Sequence, residues 1–350
     1  MTPEPAVCID RPTLPAAIQL FATSPSSLNS DPITYAAHVA EVARWSEEAG
    51  CTGTLIYTDN SIVDGWLVAQ LVIQATRSLC PLVAVQPVYA HPYTVAKSVT
   101  SLAHLHGRKV YLNLVAGGFA NDLTALNDTT PHDRRYARLI EYTSIIKSLL
   151  EGGRPVSCKG EFYTVDKPIL KPSLPAHLFP GIFVSGSSPA GMAAAVALGA
   201  TAVKYPGPAS ECSVQPEAAG IPHGIRVGII ARRDKEEAWR VAWERFPEDR
   251  KGRLTHELSM RVSDSAWHQR LSELGRSQPQ QDSPYWLVPF ETAKTNCPYL
   301  VGDYAEVARE LSRYRDGGYN TFILDIPPSR EELEHIGLVL ERTADRSEAV

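Results

Sequence analysis

"IFVSGSSPAG", residues 182–191, opens with three apolar β-formers and then turns to glycine, serine and proline before "MAAAVALGA" resumes at 192–200. The change predicts a buried strand, a tight turn and a helix. Glycine supplies unusual backbone angles, and Ser-Ser-Pro is a good helix start. Such a turn aims backbone N–H groups and hydroxyls at one point, which is how a helix N-terminus holds a phosphate. An ordinary strand-to-helix loop has the same composition. The rest of the chain has to decide.

The same alternation recurs along most of the sequence. Strand candidates are "AAIQLFA", "GTLIY", "LVAVQPV", "KVYLNLV", "GIFVS", "TAVKY", "GIRVGIIA" and "TFILDI". Helical patterns cover 32–49, 64–79, 93–106, 132–151, 189–199, 234–245 and 329–343. Eight apolar strands, each followed by a helix or room for one, predict a parallel sheet closed into an α/β TIM (β/α)8 barrel. No Gly-x-Gly-x-x-Gly follows the first strand, which weighs against an open dinucleotide fold. Two segments interrupt the pattern. Residues 152–170 read as an inserted hairpin around Lys159-Gly160, and 246–300 as a polar, lid-like insertion with no clean strand. The whole of 1–350 is expected to be one domain, with 1–15 a flexible N-terminal segment.

Composition sets limits on function. The 350 residues are 44% hydrophobic and carry a formal net charge of −5 with no basic block, so nucleic acid is not an expected partner. The start lacks a secretory pattern and no apolar run is long enough to span a bilayer, so a cytoplasmic protein without a membrane partner is expected. Cysteines 8, 51, 80, 158, 212 and 297 are scattered without Cys-x-x-Cys, which suits reduced thiols. His104 and His106 fall on different faces of a helix, and no metal site is expected.

In a βα barrel the chemistry gathers where the strands end. The strand-end stretches "YTDNSIVDGW", "AHP", "NLVAGG", "SGSSPAG" and "YPGP" supply neither a nucleophilic triad nor a pair of catalytic carboxylates with a base. They suit the anchoring of a cofactor that carries the chemistry itself. Period-two alternation puts Tyr111, Asn113 and Val115 on one face. If that face points inward, the Asn113 amide needs a partner, either a cofactor edge or a neighbouring strand's side chain.

These stretches carry a resemblance. Residues 35–79, "HPYTVAKSVTSLAHLHGRKVYLNLVAGG", "RRYARLIEYTSIIKSLLEGG", "GEFYTV", "IFVSGSSPAG" and "LVGDYAEVARELSRYRDGGYNTFIL" resemble the bacterial luciferase-like flavin monooxygenases, most nearly their alkanesulfonate monooxygenase branch. The likeness runs from about 32 to 343. It implies a barrel that takes reduced FMN from a separate NAD(P)H:FMN reductase. The reaction it implies is insertion of one atom of O2 into a small organic substrate through a flavin hydroperoxide, in a homodimer or homotetramer.

By that resemblance Gly186, Ser187 and Ser188 are the FMN phosphate loop, Tyr136 reaches the same cofactor, and Thr58, Asn113, Ala116 and Gly117 surround the ring. Arg226 and Asn113 are the implied catalytic groups, and Ile62, Tyr205, Arg226, Gly228 and Lys294 the implied substrate pocket. The chain departs from its relatives where they carry a histidine, at Gly228, and where they carry a cysteine, at Ile62. Loss of the histidine is expected to clear space beside Arg226, which could instead pair with Asp64 or Asp325. Lys294 falls near the relatives' lid arginine, and Trp286, Phe290 and Tyr299 are the apolar lid candidates, or simply packing residues. A deazaflavin-dependent oxidoreductase of the same barrel type and a noncatalytic flavin-binding relative are the alternatives.

Overall fold

The computed structural model describes residues 18–117, 120–213, 218, 220–262, 266–277 and 283–345. The expected flexible segment 1–15 lies outside the described residues, as does Cys8. Eight parallel strands close into the expected barrel: β1 (Gln19–Thr23), β2 (Gly53–Ile56), β3 (Cys80–Val85), β4 (Tyr111–Val115), β7 (Ile182–Ser185), β8 (Thr201–Lys204), β9 (His223–Arg232) and β12 (Thr321–Leu324). They pair in that order, and β12 returns to β1 with Gln19 opposite Thr321. The interior is filled by Phe21, Leu55, Leu82, Phe183, Val203 and Ile323, with Tyr111 packed against them. Phe21 meets Tyr111 and Phe183 edge-on at 5.3 Å each, so the barrel is a solid core and any ligand must sit above it.

The helices start and stop where local chemistry directs them. Asp64 caps α2 (Gly65–Ala75) by accepting from the N–H groups of Trp66 and Leu67. Pro92 opens α3 (Pro92–His106), and Gly107 closes it at φ 61°. The opening stretch behaves as its composition requires: the Ser188 hydroxyl accepts from Gly191 N–H, Pro189 begins α6 (Pro189–Leu198), and Gly199 ends it in the left-handed region. The inserted hairpin is present as β5 (Cys158–Lys159) and β6 (Thr164–Val165).

The 246–300 insertion differs from its reading. It holds α8 (Arg250–Val262), α9 (Ala266–Ser277), the short β10 (Tyr285–Trp286) and α10 (Val288–Glu291), and it leads into a further strand, β11 (Tyr299–Asp303). The stretch "QPQQD" at 278–282 lies outside the described residues. The ten-residue β9 explains the extra strand. Its first half, Gly224–Val227, pairs with β12, and its second half, Gly228–Arg232, pairs with β11. An apolar run as short as "YLVG" carries no period of its own, so nothing in the sequence separates it from the insertion before it.

Candidate active site

A cavity of about 150 Å³ opens at the C-terminal ends of the barrel strands. Thr58 follows β2, Gln86 follows β3, Ala116 and Gly117 follow β4, Gly186–Ser188 follow β7 and Tyr205 follows β8, and all of them line it. The ends of β2, β3, β4, β7 and β8 open onto the same mouth, which is why Thr58 and Tyr205, far apart in sequence, meet here. Gly117 sits at φ 109°, a conformation that side-chain-bearing residues rarely adopt.

The phosphate-loop candidates converge on one corner. Tyr136, from α5 (His132–Glu151), is 8% exposed and lies over Gly186 and Gly191. A methyl group at Gly186 would come within 2.5 Å of the tyrosine oxygen, so glycine here is what lets the hydroxyl approach the turn. The Ser187 hydroxyl is buried and has no hydrogen-bond partner among the described residues. A buried hydroxyl is rarely left without a partner. Beside the positive end of a helix, the orphan hydroxyl fits an anionic oxygen.

Asn113 points inward and is 5% exposed, and its side-chain carbonyl accepts from the Ser185 hydroxyl at 2.8 Å. The neighbouring-strand partner is therefore real, and the amide still lines the cavity. Arg226 is 2% exposed and also lines it. Its guanidinium donates to the hydroxyls of Tyr57 and, at 3.4 Å, Tyr205, and stands 3.5 Å from the carboxylate of Asp325. Of the two carboxylates expected as partners, Asp325 is the one used, because Asp64 is spent on the α2 cap. Burial works against the charged guanidinium, but the facing phenols and Asp325 outweigh it and raise the pKa further. Burial also pushes Tyr57 above the ordinary phenol range, so it stays a neutral donor.

Three expected pocket residues stand elsewhere. Gly228 does not open space beside Arg226: the ring of Tyr299, directly opposite in the β9–β11 pair, fills it. Strand alternation placed Gly228 on the arginine's face but could not reveal an unrecognised neighbouring strand. Lys294 pairs with Asp249 at 2.8 Å and is exposed, outside the cavity. Ile62 is half-buried in the strand-two loop and does not line the cavity. Of the lid aromatics, Trp286 packs among Trp239, Trp243 and Phe246, and Tyr299 lies against Phe246, so both serve to fasten the insertion.

The lid contributes other residues. Trp267 on α9 stacks flat on Tyr205, with ring centres 3.6 Å apart and planes within 8°, and His268 lines the cavity beside it. Burial, then the neighbouring His256, lowers the His268 pKa to about 3, so the imidazole is neutral. Asp59 and Asp122 also line the cavity, and burial together with Asp59 raises Asp122. Tyr57 and Gln86 could have been found by counting one residue past each apolar strand. Trp267 and His268 had no such signal, since an amphipathic helix in an insertion does not state what it covers. Among the described residues no cluster of side chains could hold a metal ion.

Comparison with known proteins identifies the family. The luciferase-like monooxygenase family matches residues 17–321. The chain is 33% identical over 310 residues to the 4-(gamma-L-glutamylamino)butanoyl-[BtrI acyl-carrier protein] monooxygenase BtrO of Niallia circulans, covering 87% of this chain and 90% of the relative. Similar folds include DmoA of Hyphomicrobium sulfonivorans, with a TM-score of 0.69 at 15% identity over 96% of this chain and 89% of the other. The oxygenating constituent of 3,6-diketocamphane monooxygenase of Pseudomonas putida, in complex with FMN, gives 0.69 at 14% identity over 94% and 98%. The chain belongs to the luciferase-like monooxygenase family, whose members are flavin-using oxidoreductases.

Proposed function

We propose that this protein is the oxygenating component of a two-component system: it takes FMNH2 from a separate NAD(P)H:FMN reductase and inserts one atom of O2 into an acyl chain presented by a carrier protein. The observation that carries the cofactor is the convergence of Tyr136, Gly186, Ser187 and Ser188 on one corner of the cavity, with the Ser187 hydroxyl buried and without a partner among the described residues. The carrier-borne substrate rests on the 33% identical relative, which is named for an acyl group on an acyl-carrier protein.

In this reading Ser187, Ser188 and the α6 N-terminus hold the phosphate with the Tyr136 hydroxyl. Asn113 holds a polar edge of the ring, and Ala116 and Gly117 let the ring lie close to the backbone. The flavin supplies activation of O2. The protein's own part is to bind, orient and keep water out. Arg226 places a fixed positive charge at the cavity floor, held by Asp325 and the hydroxyls of Tyr57 and Tyr205. Such a charge favours whatever negative charge develops nearby and needs no reorganisation to do so. Trp267 and Tyr205 close the cavity from the lid side. The stable form in solution is a homodimer or homotetramer.

Anaerobic titration with FMNH2 and with reduced deazaflavin identifies the cofactor; the expected result is binding of FMNH2. Turnover with a flavin reductase, NADH, 18O2 and an acyl-carrier thioester should then add one labelled oxygen. Binding of the deazaflavin alone would point to an oxidoreductase without oxygen transfer, and flavin binding without labelled product would point to a noncatalytic relative.

A further inference from the structure

Beyond the Tyr205–Trp267 stack lies a second chamber of about 160 Å³ that shares Ser187, Tyr205 and Trp267 with the first. Its chemistry is different. Lys204, Arg270 and Glu211 face it, and among the described residues none of these three side chains forms an ion pair or hydrogen bond. Lys204 is half-buried at the end of β8, while Arg270 and Glu211 stand exposed at the rim. A methyl group at Gly207 would lie 3.8 Å from the Glu211 carboxylate and 3.9 Å from the Arg270 guanidinium, so both charges surround one point. Burial lowers the Lys204 pKa; Cys212 opposes the fall and Arg270 adds a smaller push in the same direction as burial. An anion between the two cations would reverse that direction.

The wall is built rather than incidental. Among the described residues after β8, the segment from Pro206 to Ser213 is tied down from several directions. The Tyr285 hydroxyl donates to the Pro206 carbonyl at 2.8 Å, and the Tyr314 hydroxyl donates to the Gly207 carbonyl at 2.6 Å. Glu310, 5% exposed, accepts from the Ala209 N–H at 3.1 Å. Two buried tyrosines and a buried carboxylate thus hold the loop that carries Glu211, while Lys204 comes from the end of β8 and Arg270 from α9. Fixed charges aimed into a shaped space are how a protein recognises a small polar group without reordering it.

We propose that this chamber is a substrate subsite for an α-amino-acid head group, with Lys204 and Arg270 taking the carboxylate and Glu211 the ammonium, at the distal end of a chain whose reacting carbon lies in the larger cavity. Two cations and one carboxylate complement a zwitterion in sign, the two cations sharing its single carboxylate. A purely anionic group would have to accept Glu211 as a neighbour. The assignment rests on the oxygenase reading for the position of the reacting carbon, while the head-group contacts stand on the chamber alone.

The probes are N-butyl-γ-L-glutamylamide, which carries the zwitterionic head, and N-butylglutaramic acid, which lacks the ammonium. Calorimetric titration of the full-length protein should show the first bound at least tenfold more tightly than the second. Arg270→Gln should weaken the first at least tenfold, and Glu211→Gln should abolish the preference between the two. Equal affinity of both probes for the unsubstituted protein, unchanged affinity in Arg270→Gln, or no binding of the first probe overturns the assignment. Thermal melting confirms that the variants are folded. FMN titration of the same samples keeps the two readings apart. Head-group binding without flavin binding defeats the oxygenase reading alone, and flavin binding without head-group discrimination defeats this one alone.

Discussion

Tyr299 faces Gly228 across the β9–β11 pair, its ring filling the space a side chain there would need, and its hydroxyl donates to Asp325 at 2.8 Å. The small residue beside Arg226 is therefore occupied space rather than an opening. Tyr299 and Arg226 share one carboxylate, so the side strand and the cavity floor are mechanically joined.

Gly228→Ala is expected to destabilise the protein by about 1–3 kcal/mol through overpacking, and Gly228→His more. Urea unfolding measures this. Tyr299→Ala in the same chain should relieve much of the cost of Gly228→Ala, and additive costs would show that the two do not compete for the space.

Asp325→Asn leaves the buried Arg226 guanidinium without its carboxylate and should cost about 3–5 kcal/mol, as breaking a buried ion pair does. Tyr299→Phe removes only one hydrogen bond to Asp325, for about 1 kcal/mol. The order of the two midpoints in denaturant is the test, and a reversal would show that Asp325 is held mainly by Tyr299.

Ser187→Ala should weaken FMN binding by about tenfold, the worth of one hydrogen bond to a charged group, with little change in stability because the hydroxyl has no partner among the described residues to lose. Gly186→Ala should weaken it more, since the added methyl displaces the Tyr136 hydroxyl. Fluorescence titration with FMN reads both, and a Ser187→Ala protein of unchanged affinity would place the phosphate elsewhere.

The lid should loosen in acid. His268 is held neutral to about pH 3 by burial and by His256, whereas a solvated histidine takes its proton near 6.5. Between those values the undocked state binds more protons. Docking is therefore complete above about pH 6.5 and is lost progressively as the pH falls below it. Hydrogen exchange in residues 266–277 should accelerate from pH 6.5 to 4.5 after correction for the intrinsic rate, and His268→Phe should flatten the dependence. A flat profile in the unsubstituted protein would mean that the lid carries no proton linkage.

Local chemistry made the barrel legible. All eight of its strands are short apolar runs set between helical patterns, and "SGSSPAG" can hardly be anything but a turn into a capped helix. The corner formed by Ser187 and Ser188 followed from that grammar, and the reach of Tyr136 from the family likeness. Strand alternation also grouped Asn113 with Tyr111 and Val115, and Arg226 with Gly228, while which face turns inward was left to the fold, which brings Asn113 and Arg226 to the cavity. Side-chain direction on a strand is set by its two-residue period, and caps act within one turn, so a single sequence holds this information.

What the tertiary structure alone decided is which long-range neighbour fills each space. β11 can pair with β9 only because β9 outruns its barrel partners by half its length, and so Tyr299 rather than emptiness lies beside Gly228. The choice of Asp325 over Asp64, the stacking of Trp267 on Tyr205 and the three unpaired charges behind that stack are of the same kind. Each depends on the close packing of segments far apart in sequence, and composition and periodicity carry no term for such a meeting.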